Sequence, residues 1–275
     1  MIEKIARKFG VLGLVAMSFV PVGGQDTNAA GVQKLAPHRA VYDLKMDRVK
    51  EGGGVLDARG RIVLEIKQSC DGYVTRQRTL IEIQNQGGSG VVSDFNLSTF
   101  ENFEGTSLRF TSQNTINGQQ VEDTDGFASN TQDERKAVYR GEEGGEEELP
   151  EGVMFPGQHS VKVLEAAHRG LPLLSAKIFD GTGMEALQDS LTVIGKSKVE
   201  PNAPILDSKM KGMKAWNVQM SFFNLEDRGD EPDYSVHVNL YENGVGDNLL
   251  LNYQDFSLKG TLTQLELLEA PSCNN

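Results

Sequence analysis

His159 and Asp180 are the pair from which an enzyme could be built in this chain: an imidazole at the start of a helical pattern and a carboxylate in the turn Asp180, Gly181, Thr182, Gly183. A general base works only with a nucleophile or water held beside it. No motif marks one here, and a histidine at a helix start is ordinarily a terminus or packing residue. Gly87, Gly88, Ser89, Gly90, Val91 approaches the strained serine elbow Gly-x-Ser-x-Gly but lacks its last glycine and sits among hairpin residues, so it reads as a flexible turn. The histidines His38, His159, His168 and His237 form neither a His-x-x-x-His pair nor a cluster with cysteine, so zinc is not expected. His237 alternates with Ser235 and Asn239 and is expected to be solvated. Asp123, Asp125 and Gly126 bring oxygen ligands near a glycine, but at the fourth place of the loop rather than the sixth of a calcium hand, which leaves an Asx-type turn. Asp180 to Gly183 lacks the lysine and the spacing of a phosphate loop. The carboxylates from Glu142 to Glu151 have no apolar cleft to split their pKa values, as glycosidase chemistry requires. No metal, no cofactor and no catalytic activity are expected.

Cys70 and Cys273 are the two cysteines, and their chemistry depends on compartment. Lys4, Arg7 and Lys8 precede an apolar stretch from Phe9 to Val22, and small residues follow, ending Thr27, Asn28, Ala29, Ala30, Gly31. That is the order of a secretory signal cleaved after Ala29 or Ala30, so residues 1–29 are read as signal peptide and 30–275 as the mature chain. The apolar run, broken by Pro21, is shorter than the roughly 18 residues that cross a bilayer, and no later stretch approaches that length. A soluble exported protein is expected. Thiols oxidise in such compartments, so the isolated pair Cys70 and Cys273 reads as one structural disulfide.

The full chain carries a formal charge of −12, and residues 1–29 contribute Lys4, Arg7 and Lys8 against Glu3 and Asp26, leaving −13 on the mature part. This acidity argues against nucleic acid or an anionic membrane as the main partner and favours solubility.

Period-two alternation dominates the chain. Ala40, Tyr42, Leu44 and Met46 share one face of an extended segment, and Ile62, Leu64 and Ile66 share another. Glu51 to Gly54 and Asp71 with Gly72 close these segments, and Asn117 with Gly118 is a two-residue hairpin signal. The theme returns in Trp216, Val218, Met220, Phe222, then Tyr234, Val236, Val238, Leu240, then Leu249, Leu251, Tyr253. A mainly β antiparallel meander of one large domain or two smaller ones follows, and it needs a second layer or closure to protect its edges. From Pro156 to Arg169 the spacing of Val161, Leu164 and Ala167 predicts one principal helix packed against the sheet, with Gly170 as C-terminal cap and Pro172 as stop. The acidic stretch 141–151 reads as an exposed loop between two β-rich parts, and Asn202, Ala203, Pro204 as a smaller loop.

Ala36, Pro37, His38, Arg39, Ala40, Val41, Tyr42, Asp43, Leu44 resembles the start of the EipB-type envelope integrity family. Leu149 to Pro156 leading to His159, then Phe179, Asp180, Gly181, then Tyr241, Glu242, Asn243, Gly244, Val245 are similar to that family in the same order. The resemblance covers nearly all of residues 30–275. It implies a periplasmic protein of Gram-negative bacteria with an open, spiral-like β architecture, a disulfide carried by Cys70 and Cys273, and a part in cell-envelope integrity under stress. The family is not known as an enzyme family.

Two classes of function stand against each other. One is a non-catalytic monomer acting through periplasmic envelope proteins or lipid, with Trp216, Met220 and Phe222 lining a groove or, as period alone suggests, forming core. The other is an envelope hydrolase using His159 and Asp180. A contiguous exposed apolar groove separates the first from the second, which needs a cleft joining the imidazole to a carboxylate.

Overall fold

Alternating side chains become strands when each finds a neighbour to pair with, and here nearly every segment does. The structure, a computed structural model, describes residues 34–273 except 51, 53, 89, 141–143, 184–185, 200–207 and 226–230. Residues 1–29, expected to be a signal peptide, and the expected loop at Asn202 to Pro204 lie outside the described residues. The strands are β1 (His38–Val49), β2 (Val55–Gln68), β3 (Gly72–Asn85), β4 (Gly90–Asn102), β5 (Ser107–Ile116), β6 (Gln119–Asn130), β7 (Arg135–Arg140) and β8 (Gly145–Glu148). After helix α1 (Pro156–His168) come β9 (Leu173–Phe179), β10 (Leu187–Val199), β11 (Lys214–Asn224), β12 (Tyr234–Tyr241), β13 (Gly246–Tyr253) and β14 (Phe256–Leu267).

All 14 lie in one sheet, ordered β8-β7-β6-β5-β4-β3-β2-β1-β14-β13-β12-β11-β10-β9. Two meanders therefore run outwards from a central seam in which β1 pairs antiparallel with β14, from His38 opposite Leu267 to Val49 opposite Phe256. Asn117 and Gly118 make the tight β5–β6 turn with φ of 51° and 78°, the positive pair that matches the twist of a two-residue hairpin.

The sheet is open, and its ends overlap instead of closing. Leaving β8, the chain bonds Leu149 N–H to the Arg135 carbonyl, then reaches β9, where Met154 donates to Lys177 and accepts from Phe179 at 3.0 Å each. The far end of β9 tucks against the inner face of β5 to β7, where Phe179 packs edge-on to Phe110 at 5.5 Å and near Tyr139 at 6.4 Å. Gly181 makes this possible: its φ is +75°, and a Cβ there would stand 2.5 Å from the Phe110 ring. The resulting cross-section is a spiral.

Helix α1 fills the hollow. Val163, Leu164, Ala166 and Ala167 are buried in the main core with Trp216, Val218, Met220 and Phe222, while Val161 is half-buried, so the covered face is broader than the expected stripe. Gly170 ends the helix at φ +69°, donating to the Ala167 carbonyl while Leu171 donates to Ala166, the paired bonds of a Schellman cap.

Two expectations need correction. The acidic stretch is not loop throughout, since Gly145–Glu148 forms the edge strand β8, where Lys136 lies 3.4 Å from Glu146 and the Tyr139 hydroxyl donates to Glu147 at 2.8 Å. A short, charged edge strand resists pairing with other chains. Asp123 to Gly126 is not a turn; it lies within β6, paired with Phe110 to Gln113 of β5.

Candidate functional site

Catalytic chemistry in this chain would need buried ionisable groups brought together in the interior. His159 follows Phe155 by one helical turn, its backbone N–H bonded to the Phe155 carbonyl at 3.0 Å, on the buried face of α1. The side chain is completely buried and neither ring nitrogen has a hydrogen-bond partner. Burial holds the imidazole well below its ordinary pKa, so it is neutral. Asp180, at the end of β9, is also buried, but its carboxylate accepts from the Thr182 N–H at 2.9 Å and the Thr182 hydroxyl at 2.6 Å. Burial pushes this carboxyl up to about 7. The structure does not join the two in a dyad, so the hydrolase arrangement is not made. His38 is buried too, with Nδ1 against the Ala36 carbonyl at 2.8 Å, and His237 is half-buried rather than fully solvated.

Sequence reasoning missed another buried ionisable group, Glu101. Phe155 is the N-cap of α1 and offers no side-chain acceptor, leaving the first helical N–H groups unsatisfied. Glu101, at the end of β4, supplies the acceptor: its carboxylate receives the Gly157 N–H at 2.5 Å and the Gln158 N–H at 2.6 Å. Burial raises its pKa to about 7 against the pull of those two N–H groups. The signal in the sequence was negative: a helix beginning Phe-Pro-Gly must find its cap elsewhere.

These groups oppose one another as pH changes. Native Glu101 and Asp180 hold protons that the unfolded chain releases above its own carboxylate pKa, so their contribution to stability declines as pH rises towards 7. Buried His38 and His159 stay neutral while the unfolded imidazoles take protons below about 6.5, so theirs declines on acidification. The His159→Leu variant should therefore gain on the parent as pH drops below about 6.5, by about 1.4 kcal/mol per pH unit. Urea unfolding at pH 7.5, 6 and 5 reads this out, and a gap that does not widen with acid would mean that His159 is already charged in the fold.

Trp216, Met220 and Phe222, the expected groove, are all buried: His168 packs edge-on to Trp216 at 4.8 Å, and Phe222 stacks on Tyr234 at 4.4 Å. They are core, because α1 covers the inner face of the sheet.

The open cavity lies on the opposite face. A trough of about 420 Å³ crosses the outer surface of β1 to β5. Register builds it from two transverse rows. Arg39, Glu65, Arg76, Ser98 and Thr111 face one another across successive strands, and beside them run Val63, Arg78, Asn96 and Gln113. Glu65 is the buried centre of the first row, bonded by Arg39 Nε at 3.0 Å and Lys67 at 3.0 Å, with Arg76 at 3.9 Å. Lys67 and then Arg39 hold its carboxyl below the usual range despite burial. Arg39 also reaches Glu266 at 2.8 Å, and Arg78 forks onto Asp94 at 2.9 and 2.7 Å. Fixed guanidinium groups and neutral amides and hydroxyls in two parallel rows can hydrogen-bond an extended hydroxyl- or carboxylate-bearing chain; they offer no nucleophile. A second cavity, of about 390 Å³, opens beside Tyr234, Tyr253 and Phe256.

Cys70, in the turn from β2 to β3, is bonded to Cys273, beyond β14, with a Cα separation of 5.6 Å. No helix among the described residues is long and apolar enough to cross a membrane, and no group of three or more His, Cys, Asp and Glu residues is placed to hold a metal ion.

This geometry has known counterparts. A crystal structure described as a beta-barrel-like protein of domain of unknown function DUF1849 from Brucella abortus superposes with a TM-score of 0.78 at 27% identity, covering 86% of this chain and 99% of that one. The cell envelope integrity protein EipB of Brucella abortus (strain 2308) is 28% identical over 250 residues, 88% of each chain. The EipB-like family profile matches residues 29–269, so the match runs from the segment before β1 through β14, and includes Cys70 and both rows of the outer trough. With the profile matched over residues 29–269 and a relative and a solved structure covering most of the same span, this chain belongs to the EipB-like family.

Proposed function

We propose that residues 30–275 form one mature periplasmic domain that supports cell-envelope integrity without catalysis, through contacts made in the outer trough of β1 to β5. The envelope role rests on similarity to the Brucella abortus protein of that name. The observation that carries the mode of action is the pair of cross-strand rows: the outer sheet face presents ordered polar side chains in an open trough, whereas the inner ionisable groups are occupied or sealed. An extended envelope component, polypeptide or lipid-linked, lies across strands β1 to β5 in this reading.

Ser98 projects outwards between Arg76 and Thr111. Ser98→Trp should fill the trough while leaving the melting temperature within about 2 °C, as expected for an exposed strand position. In a strain lacking the gene, this variant should fail to restore growth on detergent, and His159→Leu should restore it fully. Full rescue by a folded Ser98→Trp protein would remove the trough from the mechanism, and loss of rescue with a stable His159→Leu protein would reopen catalysis.

A further inference from the structure

Exposed aliphatic side chains are unevenly distributed over this molecule. Of the nine large hydrophobic residues exposed among the described residues, five lie on β9, β10 and the turn before β9: Leu171, Leu173, Leu191, Val193 and Val199, with Leu173 at 58%. Register gathers most of them on one surface. Leu173 is directly opposite Val193, and Leu191, two residues from Val193, faces the same side opposite Ser175. The Pro172 carbonyl accepts the Ile194 N–H at 2.8 Å, which brings Leu171 against the same corner. The core does not need these side chains, because Leu174, Ala176, Ile178 and Ile194 are the residues that turn inwards.

The rim of this patch has the opposite sign to the rest of the protein. Arg169 and Lys196 flank it on either side of the Pro172–Ile194 bond, both are exposed, and neither has an ion-pair partner among the described residues. Glu165, the acidic residue nearest to Arg169 in the chain, is 2.7 Å from Lys162, Asp189 stands opposite Lys177 in the ladder, and Glu200, four positions after Lys196, lies outside the described residues. The charge of −13 on residues 30–275 is a total, and at physiological ionic strength charges more than about 8 Å away are screened, so the groups close to the patch govern a contact made here.

Aliphatic side chains at the outermost strands, bordered by cations that have no ion-pair partner among the described residues, are the composition of a surface that rests on a bilayer, with alkyl groups at the acyl boundary and guanidinium and ammonium groups at lipid phosphates. We infer that the β9–β10 corner docks this protein peripherally on an anionic phospholipid surface. The contact is separate from the trough on β1 to β5 and does not depend on what the trough binds. A bilayer fits better than a polypeptide because the cations border the aliphatic cluster without complementary buried polar groups to fix a register.

The test is flotation of the mature chain with vesicles of phosphatidylglycerol and phosphatidylethanolamine, alongside vesicles of phosphatidylcholine alone. The expected result is association with the anionic vesicles, at least tenfold weaker with phosphatidylcholine or in 0.5 M salt. Leu173→Ser with Val193→Ser, and separately Arg169→Glu with Lys196→Glu, should each reduce partitioning at least tenfold at unchanged melting temperature. No flotation of the parent chain, or equal flotation of both folded variants, would overturn the inference. So would self-association lost in Leu173→Ser with Val193→Ser when vesicles bind nothing, since a second copy of this chain would then cover the patch.

Discussion

Cys70→Ser, Cys273→Ser and the double variant should lose the same stability, about 2 to 5 kcal/mol, because each removes one and the same crosslink. The bridge closes a separation of 203 residues, and the chain-entropy model assigns about 5 kcal/mol to a loop of that size, an upper value because residual structure in the unfolded chain reduces it. Its position adds a local reason. Cys70 follows β2 and Cys273 follows β14, and β1 lies between those strands in the sheet, so the bond staples the seam from outside. At that end the seam is otherwise secured by backbone bonds such as Leu268 N–H to the Pro37 carbonyl at 2.8 Å. The parent should run faster than any of the three variants on non-reducing electrophoresis, and urea unfolding should place all three at one midpoint. Two free thiols on labelling the denatured, unreduced protein would refute the bridge, and a double variant clearly less stable than either single one would show that the cysteines act separately.

Leu164→Asp should cost at least about 4 kcal/mol, since it removes a completely buried leucine and places a carboxylate among the apolar side chains of the main core. The comparison is Glu147→Ala on β8, which removes only a hydrogen bond from the half-buried Tyr139 hydroxyl and should cost about 1 kcal/mol or less. Urea unfolding of the two variants side by side separates these expectations. Equal midpoints would mean that α1 is peripheral to the fold. That outcome would also undo the assignment of Trp216, Met220 and Phe222 to the core beneath it, which leans on the same packing.

The strands and the helix were legible because their causes are local. Alternation along Trp216 to Phe222 and Tyr234 to Leu240 marks an extended chain with its apolar face turned to the core, and the Asn117–Gly118 and Gly170 turns carry their backbone requirement in their residue types. What could not be read depends on partners far away in the chain. The β8 segment, with three glutamates in four residues, looks like solvated loop until β7 offers it an edge. Glu101 becomes a helix cap only because β4 passes beneath the start of α1, 56 residues later. The trough on β1 to β5 is made of outward-facing residues that look in sequence like any hydrated strand face, and only the register sets Glu65 against Arg76 and Arg76 against Ser98. His159 was partly legible: it lies four residues before buried Val163 and seven before buried Ala166, on the face that packs, which favoured a core imidazole over a working one.

The pairing of β1 with β14 also dictates a timetable. A polypeptide is made from its amino terminus, so β1 exists as a finished strand long before its partner: Arg39 and Glu266, which meet across the seam, are 227 positions apart. Until the last strand arrives, β1 to β8 can assemble only as a meander with β1 as a bare edge, open to pairing with another nascent chain. Arg39, Asp43, Lys45 and Asp47, exposed or half-exposed along that edge, act as gatekeepers during the wait. A fold whose decisive contact is also its longest forms slowly, on the millisecond-to-second scale of non-local β topologies. The middle of the sheet cannot form before β14 arrives, so a chain truncated before Phe256 would lack the strand that joins the two meanders.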